Sequence, residues 1–167
     1  MKLAFHGADR RVTGSCHLIA CAGRRILIDC GLYQGGHELS EENAEPFGFD
    51  RAGIDFVLLT HAHLDHCGRL PLLAPRGFRG EIITTADSRE LARLVLLDVG
   101  HLQEEEARDR SRRSRHRSHA EETAPLYSLL EALNGLDYFG RTAVYGEPLQ
   151  LAPGIRATYF DAGHILG

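Results

Sequence analysis

The stretch THAHLDH, residues 60–66, constrains this chain more than any other part of its sequence. It places His61, His63, Asp65 and His66 within six residues, directly after the apolar run IDFVLLT, which is typical of a strand buried on both faces. Side chains two residues apart in an extended segment point the same way, so His61 and His63 can reach one metal ion together. Asp65 and His66, beyond the bend, can face a second position.

Zinc is the metal that these residue types favour. It binds imidazole nitrogens and carboxylate oxygens at about 2.0–2.2 Å, and two ions about 3.5–4 Å apart would hold a phosphodiester between them. The alternative is a strand end with scattered surface histidines. Four ligand-type residues at H-x-H-x-D-H spacing after a buried strand favour the metal centre.

Composition limits the class of protein. A chain of 167 residues is about one domain, and a net charge of −4 provides no overall attraction to nucleic acid. No apolar run approaches the roughly 20 residues that span a bilayer, and the N-terminus lacks the apolar core of a signal peptide. The cysteines form no C-x-x-C pair, which predicts reduced thiols in a cytoplasmic protein that does not enter the membrane.

Strands and helices alternate irregularly, which predicts mixed α/β (α+β) layers without internal repeats. The strands are predicted at 2–6, 15–21, 25–29, 54–60 and 81–85, with a further hairpin over 149–160. Residues 31–50, rich in glycine and acidic side chains, are predicted to form a long loop.

Two helices are predicted. The first starts at Asp87 as N-cap, with Glu90 three residues on, and runs to about Arg108; the second covers 128–134. The buried face of the first helix is predicted to contain Leu91, Leu94, Val95, Val99 and Leu102.

The stretch RDRSRRSRHRSHAEE, residues 108–122, is unusually basic, and two interpretations remain open. It can be a solvated helix end or surface loop, or it can contact the phosphates of a nucleic acid. The candidate RNA contacts are Arg112, Arg113, Arg115 and Arg117, with Arg110 beside them.

Several segments together resemble the metallo-β-lactamase superfamily and, within it, the β-CASP branch of RNA-processing metallo-nucleases. These are VTGSCHLIACAGRRILIDCGLYQGG, THAHLDHCGRLPLL, LQEEEA, PLYS, YGEPLQL and DAGHILG. The resemblance implies an αββα sandwich, of which this chain would supply the first half. DAGHILG has Ala-Gly-His where thioester and lactone hydrolases carry Pro-Gly-His. Ala62 stands where DNA-repair members carry a bulky residue, so RNA is the expected substrate.

The resemblance also implies roles for individual residues. The first zinc ion would be bound by His61, His63 and His164. Asp65 and His66 would contribute to a second zinc ion, and Asp65 would also orient the attacking water. Asp29, in LIDCG, would support the histidine loop without touching metal. Cys67 follows the motif directly and is expected to be a small buried thiol.

The family pattern continues beyond the GHILG motif with a bridging aspartate, a late histidine and a separate β-CASP domain. Residues 1–167 are therefore expected to be a metallo-β-lactamase-type domain truncated after that motif, with the β-CASP domain absent and the second zinc site incomplete. Low activity, and a dimer or pairing with the missing C-terminal half, are expected. The alternatives are a thioester or lactone hydrolase on the same fold, and a zinc-binding remnant without turnover.

Overall fold

The computed structural model describes residues 1–114 and 124–167. Within these residues the main sheet has six strands, and a hairpin forms a second, two-stranded sheet. The main sheet contains β1 (Lys2–Gly7), β2 (Cys16–Cys21), β3 (Arg24–Ile28), β4 (Phe56–Leu58), β5 (Glu81–Thr85) and β6 (Phe139–Ala143), and the hairpin contains β7 (Leu149–Ala152) and β8 (Ile155–Ala157).

The strands of the main sheet follow one another in chain order. β1, β2 and β3 pair antiparallel, whereas β3 to β6 pair parallel. Because parallel strands all end at the same edge, the residues that follow β3, β4 and β5 meet there. This edge receives both Asp29 and the histidine motif.

Helices pack beside the sheet. They are α1 (His37–Ala44), α2 (Leu64–Cys67), α3 (Ala86–Ser114) and α4 (Leu129–Leu136), with 3-10 turns at Leu70–Leu72 and Ala74–Arg76. Ser128 begins α4 with a capping box to Glu131, which satisfies backbone donors at its first turn. Among the helices of residues 1–114 and 124–167, none combines the length with the apolar composition that a bilayer span requires.

The predicted loop at 31–50 is wrong in part, because it contains α1. Asn43 on this helix exchanges two hydrogen bonds with the backbone of Tyr33, at 2.8 and 2.9 Å. The buried guanidinium of Arg69 stacks 4.3 Å from the Phe47 ring and donates to the carbonyl of Glu45 at 3.1 Å. These long-range contacts hold a segment whose local composition favours a loop.

The predicted start and apolar face of α3 are also wrong in part. The helix begins at Ala86, and Thr85 Oγ1 accepts from the Ser88 backbone N–H at 3.3 Å as an N-cap does, which places Asp87 in the first turn. Leu94 and Leu102 are exposed, and the buried positions include Ala92, Leu96 and Gly100. Small residues face inward because α4 lies close: a Cβ on Gly100 would be 3.2 Å from the Leu129 backbone.

The two faces of the main sheet are covered differently. On the helix side, residues such as Leu27, Val57 and Ile82 form a closed core with Leu96 and Phe78.

The opposite side, called the inner face here, carries by strand register Leu3, Phe5, Ile19, Ile26, Ile28, Phe56, Leu58 and Ile83. The hairpin covers part of it through Leu151 and Ile155, while Leu3 and Phe5 remain 53% and 59% exposed. The layers confirm the predicted mixed α/β class.

Candidate metal centre

Asp29 organises the end of β3. It is buried, has a left-handed φ of 59°, and its backbone N–H donates to the Leu58 carbonyl at 3.1 Å, which joins the ends of β3 and β4. Its carboxylate accepts from Ser15 Oγ at 3.0 Å, and from the backbone N–H and hydroxyl of Thr60 at 2.8 and 2.9 Å. A buried carboxylate whose oxygens accept this many hydrogen bonds is held in one orientation.

Two histidines take their orientation from that carboxylate. Nδ1 of His66 lies 2.7 Å from Asp29 Oδ2, so this nitrogen carries a proton and donates it to the carboxylate. The Thr60 hydroxyl donates to Asp29 and lies 3.0 Å from Nδ1 of His61, from which it can accept. Asp29 therefore orients the ring of His66 directly and the ring of His61 through Thr60.

The three predicted ligands of the first metal meet in space. Nε2 of His61 lies 3.0 Å from Nδ1 of His63, and Nε2 of His164 lies 3.1 Å from the same atom. One ligand nitrogen of each lies within 4.8 Å of the other two. Zinc–nitrogen distances of about 2.0–2.1 Å place tetrahedral ligands roughly 3.3 Å apart, so these three residues fit one metal ion.

The protonation state of His61 suits metal binding. Burial, followed by the neighbouring His66 and His63, lowers its pKa to about 4, while the Asp29 carboxylate opposes this shift by less. The neutral imidazole that results near pH 7 is the form that binds a metal. For His66, burial lowers the pKa, but the hydrogen bond and charge of Asp29 outweigh burial, and the net pKa is raised.

Asp65 and His66 form a second group beside the three histidines. Oδ2 of Asp65 lies 3.6 Å from Nε2 of His66, and the rings of His61 and His66 are 4.0 Å apart. The short helix α2 that carries them is held by Ser15 and by residues 30–32: Cys30 N–H donates to the His66 carbonyl at 2.8 Å. Gly31 has no room for a side chain, since a Cβ there would lie 1.6 Å from the Asp65 carbonyl.

Cys67 is not placed as a ligand. It is fully buried, and its thiol contacts the Ala62 carbonyl at 3.5 Å. Burial raises the pKa of Cys67 to about 12, with Asp29 and Asp65 adding to the increase. The thiol remains protonated, which confirms the expectation of a small buried thiol.

A cavity of 460 Å³ opens beside His61 and His164. Its walls include Ile28 and Leu58 of the inner face, and Tyr159, whose hydroxyl donates to the Ile83 carbonyl at 2.9 Å. The three-histidine group therefore lies at the rim of an apolar cleft where a substrate can approach.

Arg112, the predicted RNA contact whose side chain the structure describes, is not brought to this group. Arg112 lies near the end of α3, about 36 Å along the helix axis from Ser88, and pairs with Asp109 at 3.7 Å. The side chain of Arg113 and all of Arg115 and Arg117 lie outside the described residues. Their contact with RNA stays a prediction.

The sequence prediction missed four hydroxyl groups near the site: Ser15, Thr60, Thr85 and Ser88. Ser15 and Thr60 contact Asp29, while Thr85 and Ser88 contact the Gly167 carbonyl. Only Thr60 had a local signal, because it directly precedes the motif. The others lie far along the chain from the groups they contact.

The chain belongs to the metallo-beta-lactamase superfamily, whose family model matches residues 9–137. Ribonuclease TTHA0252 of Thermus thermophilus is 38% identical over 167 residues, covering 100% of this chain and 33% of that protein. Transcription termination factor FttA of Methanothermobacter thermautotrophicus is 32% identical, covering 99% of the chain and 24% of that protein. These relatives confirm the resemblance to the β-CASP branch.

Endoribonuclease YSH1 of Yarrowia lipolytica is 30% identical, with 96% of this chain and 18% of that protein covered. The chain thus spans about a third, or less, of the length of these relatives. Among solved structures, the subclass B3 metallo-beta-lactamase MEM-A1 from a soil metagenome library has a TM-score of 0.47 and 18% identity, covering 90% of this chain and 46% of that one.

Proposed function

We propose that this chain carries the metal-binding part of a zinc-dependent hydrolase that cleaves RNA phosphodiester bonds, as a ribonuclease of the β-CASP type. The observation that carries the proposal is the convergence of His61, His63 and His164, with Asp65 and His66 beside them. The names of the relatives support RNA rather than a small ester as substrate.

The residues of the chain have distinct tasks in this reaction. His61, His63 and His164 hold the first zinc ion, and Asp65 and His66 contribute to a second. Zinc at this position supplies Lewis acidity to the phosphodiester and lowers the pKa of water. The chain's own contribution is orientation, because Asp29 holds both His61 and His66 in the tautomer that presents Nε2.

Asp65 is the proposed catalytic residue. Its carboxylate is about one fifth exposed, at 21%, and lies 3.6 Å from His66 Nε2. It can accept a hydrogen bond from the attacking water and direct the water's lone pair to phosphorus. Asp29 cannot take this role because its oxygens already accept from Ser15, Thr60 and His66.

The test of activity compares substrates and metal states. End-labelled RNA is incubated with the protein before and after chelation, and after zinc is added back, beside a thioester and a lactone treated in the same way. We expect slow RNA cleavage that chelation abolishes and zinc restores. Cleavage of the thioester or lactone but not of RNA would reassign the substrate, and metal-independent cleavage would contradict the proposed chemistry.

A matched pair of histidine variants controls for contamination by another nuclease. His164→Ala removes a proposed ligand and should abolish cleavage. His101→Ala removes a histidine of α3 whose side chain is 53% exposed and pairs with Glu105 at 3.5 Å, and should leave cleavage unchanged. Equal activity of both variants and of the unmodified protein would reject the site.

The inner face supports a further part of the proposal. Its exposed portion, which includes Leu3 and Phe5, pairs with a second copy of this chain or with a further part of a longer protein. The reason is that a large exposed apolar patch on a sheet marks a surface that another protein segment covers. Sedimentation at increasing concentration tests the second copy. A folded monomer at all concentrations would contradict that pairing.

The cytoplasm is the proposed compartment. Cys16, Cys21, Cys30 and Cys67 are all free thiols in the described residues, as a reducing compartment would keep them. Fractionation of cells that produce the protein, with detection by antibody, tests this location. Recovery in a membrane or secreted fraction would contradict it.

A further inference from the structure

The backbone oxygen of Gly167 is bound by two buried hydroxyl groups at the start of α3. Thr85 Oγ1 donates to it at 2.9 Å and Ser88 Oγ at 2.7 Å. Thr85 is 6% exposed and Ser88 is 0% exposed, so water competes weakly for both bonds. The metal proposal above uses neither hydroxyl.

The contact is too close for a side chain at residue 167. Gly167 has a φ of 86°, and a Cβ there would lie 2.5 Å from the Ser88 backbone nitrogen. Glycine is therefore required both by the backbone conformation and by the approach to α3. The glycine that closes GHILG allows residues 161–167 to dock on the helix start.

The first residues of this segment form a local turn, which fixes their own backbone conformation. Asp161 Oδ1 accepts from the Gly163 backbone N–H at 2.7 Å, and Gly163 has a φ of 65°. His164 lies between the two attachments. Its ring contacts His61 and His63 but is itself exposed, so the backbone of residues 161–167 decides where its Nε2 lies.

We propose that Thr85 and Ser88 are positioning residues that hold residues 161–167 against α3, so that His164 completes the three-histidine metal site. The inference rests on the proposed metal site and adds the start of α3 to its supporting groups. Outer hydrogen-bond partners of metal ligands typically contribute about 10–100-fold to metal affinity.

The experiment uses Co²⁺ as a spectroscopic probe, because its visible absorption reports ligand number and geometry without requiring turnover. The unmodified protein and the variant Thr85→Val are each titrated with Co²⁺. In this variant a methyl group of similar size replaces the hydroxyl group. We expect Co²⁺ affinity to fall at least about 10-fold and the absorption to weaken. Thr85→Ser keeps the hydroxyl and should restore both.

Thr84 provides a matched control on the same strand. It is 1% exposed, and its Oγ1 has no hydrogen-bond partner among the described residues. Thr84→Val should therefore bind Co²⁺ as the unmodified protein does. If Thr85→Val does not fold, because Thr85 also caps α3, Ser88→Ala replaces it with the same expected loss.

A double-mutant cycle separates positioning of His164 from a general effect on folding. If Thr85 acts through His164, Thr85→Val should lower the residual Co²⁺ affinity of a His164→Ala protein little or not at all. An equal loss in the presence and absence of His164 would overturn the proposal, as would Thr85→Val and Ser88→Ala binding Co²⁺ normally. Failure of the unmodified protein to bind Co²⁺ would instead reject the metal site itself.

Discussion

His61 and His66 differ from His164 in what holds them. The first two are oriented by Asp29, a buried carboxylate at the junction of β3 and β4. His164 belongs to an exposed segment that touches the main fold through the Gly167 carbonyl at the start of α3. One side of the metal centre is thus part of the folded core, and the other is a loop docked onto it. Substitutions on the first side should lower both the free energy of unfolding and the metal affinity, whereas substitutions on the second side should lower mainly the metal affinity.

The largest effect is expected for Asp29→Asn. Asparagine tolerates the left-handed backbone but replaces one acceptor oxygen by an NH2 group that faces other donors. We expect the free energy of unfolding of the metal-free protein to fall by about 3 kcal/mol in a urea titration. Asp109→Asn, on the exposed surface of α3, should change it by less than about 0.5 kcal/mol. If Asp29→Asn and Asp109→Asn lowered the free energy of unfolding equally, the hydrogen bonds of Asp29 would not be what stabilises this part of the fold.

Two Gly→Ala substitutions, each of which adds one methyl group, compare the stability of the Asp29 side with that of the loop that carries His164. Gly31→Ala should destabilise the metal-free protein by about 2 kcal/mol, because its Cβ would collide with the Asp65 carbonyl. Gly163→Ala has open space around it and should cost about 1 kcal/mol through its positive φ alone. Thermal unfolding of both variants provides the measurement. A larger loss for Gly163→Ala would reverse the proposed order of rigidity.

Thr60→Val removes the link between Asp29 and His61. His61 would lose the acceptor for its Nδ1–H, so we expect about a 10-fold loss of metal affinity, equivalent to about 1.4 kcal/mol. Thr60→Ser should retain the affinity of the unmodified protein. Competition with a coloured zinc chelator measures both. If Thr60→Val bound the metal with unchanged affinity, the conclusion that Asp29 orients His61 through Thr60 would be rejected.

The smallest effect concerns the hairpin that leads to His164. Hydrogen bonds from Arg141 lower the pKa of Glu81 more than burial raises it, and Arg141 also donates to the Gln150 carbonyl at 2.7 Å. A lowered folded-state pKa contributes stability at pH values above the ordinary pKa of 4.5, and this contribution is lost as pH falls through the folded-state pKa.

Glu81→Gln should therefore destabilise the protein by at most about 1 kcal/mol at pH 7, since the pair is partly exposed. The difference from the unmodified protein should shrink below pH 4. Unfolding curves at pH 7 and pH 3.5 provide the measurement, and a difference that grows on acidification would contradict the assigned pair.

Prediction from sequence succeeded where the signal was local. The strands around the hairpin turn, β5 and α4 follow from short apolar patterns. The metal ligands, expected from the motif and from the family resemblance, stay a prediction that the meeting of His61, His63 and His164 supports. It failed for α1, which is held by Asn43 and Arg69, and for the inward face of α3, where α4 requires small residues. Those outcomes depend on contacts between distant segments, which local patterns do not contain.

By itself, the sequence determined the donor types: imidazoles and a carboxylate at H-x-H-x-D-H spacing after a buried strand, which favour a metal. The tertiary structure decided which groups share a site. His164 lies 101 residues from His63, and it joins the group because β5 ends where α3 can bind the Gly167 carbonyl. Ser15 reaches Asp29 through the register of β2 against β3. Contacts between residues so far apart in the sequence depend on strand order and register, because directional hydrogen bonds form only after the sheet has brought their partners together.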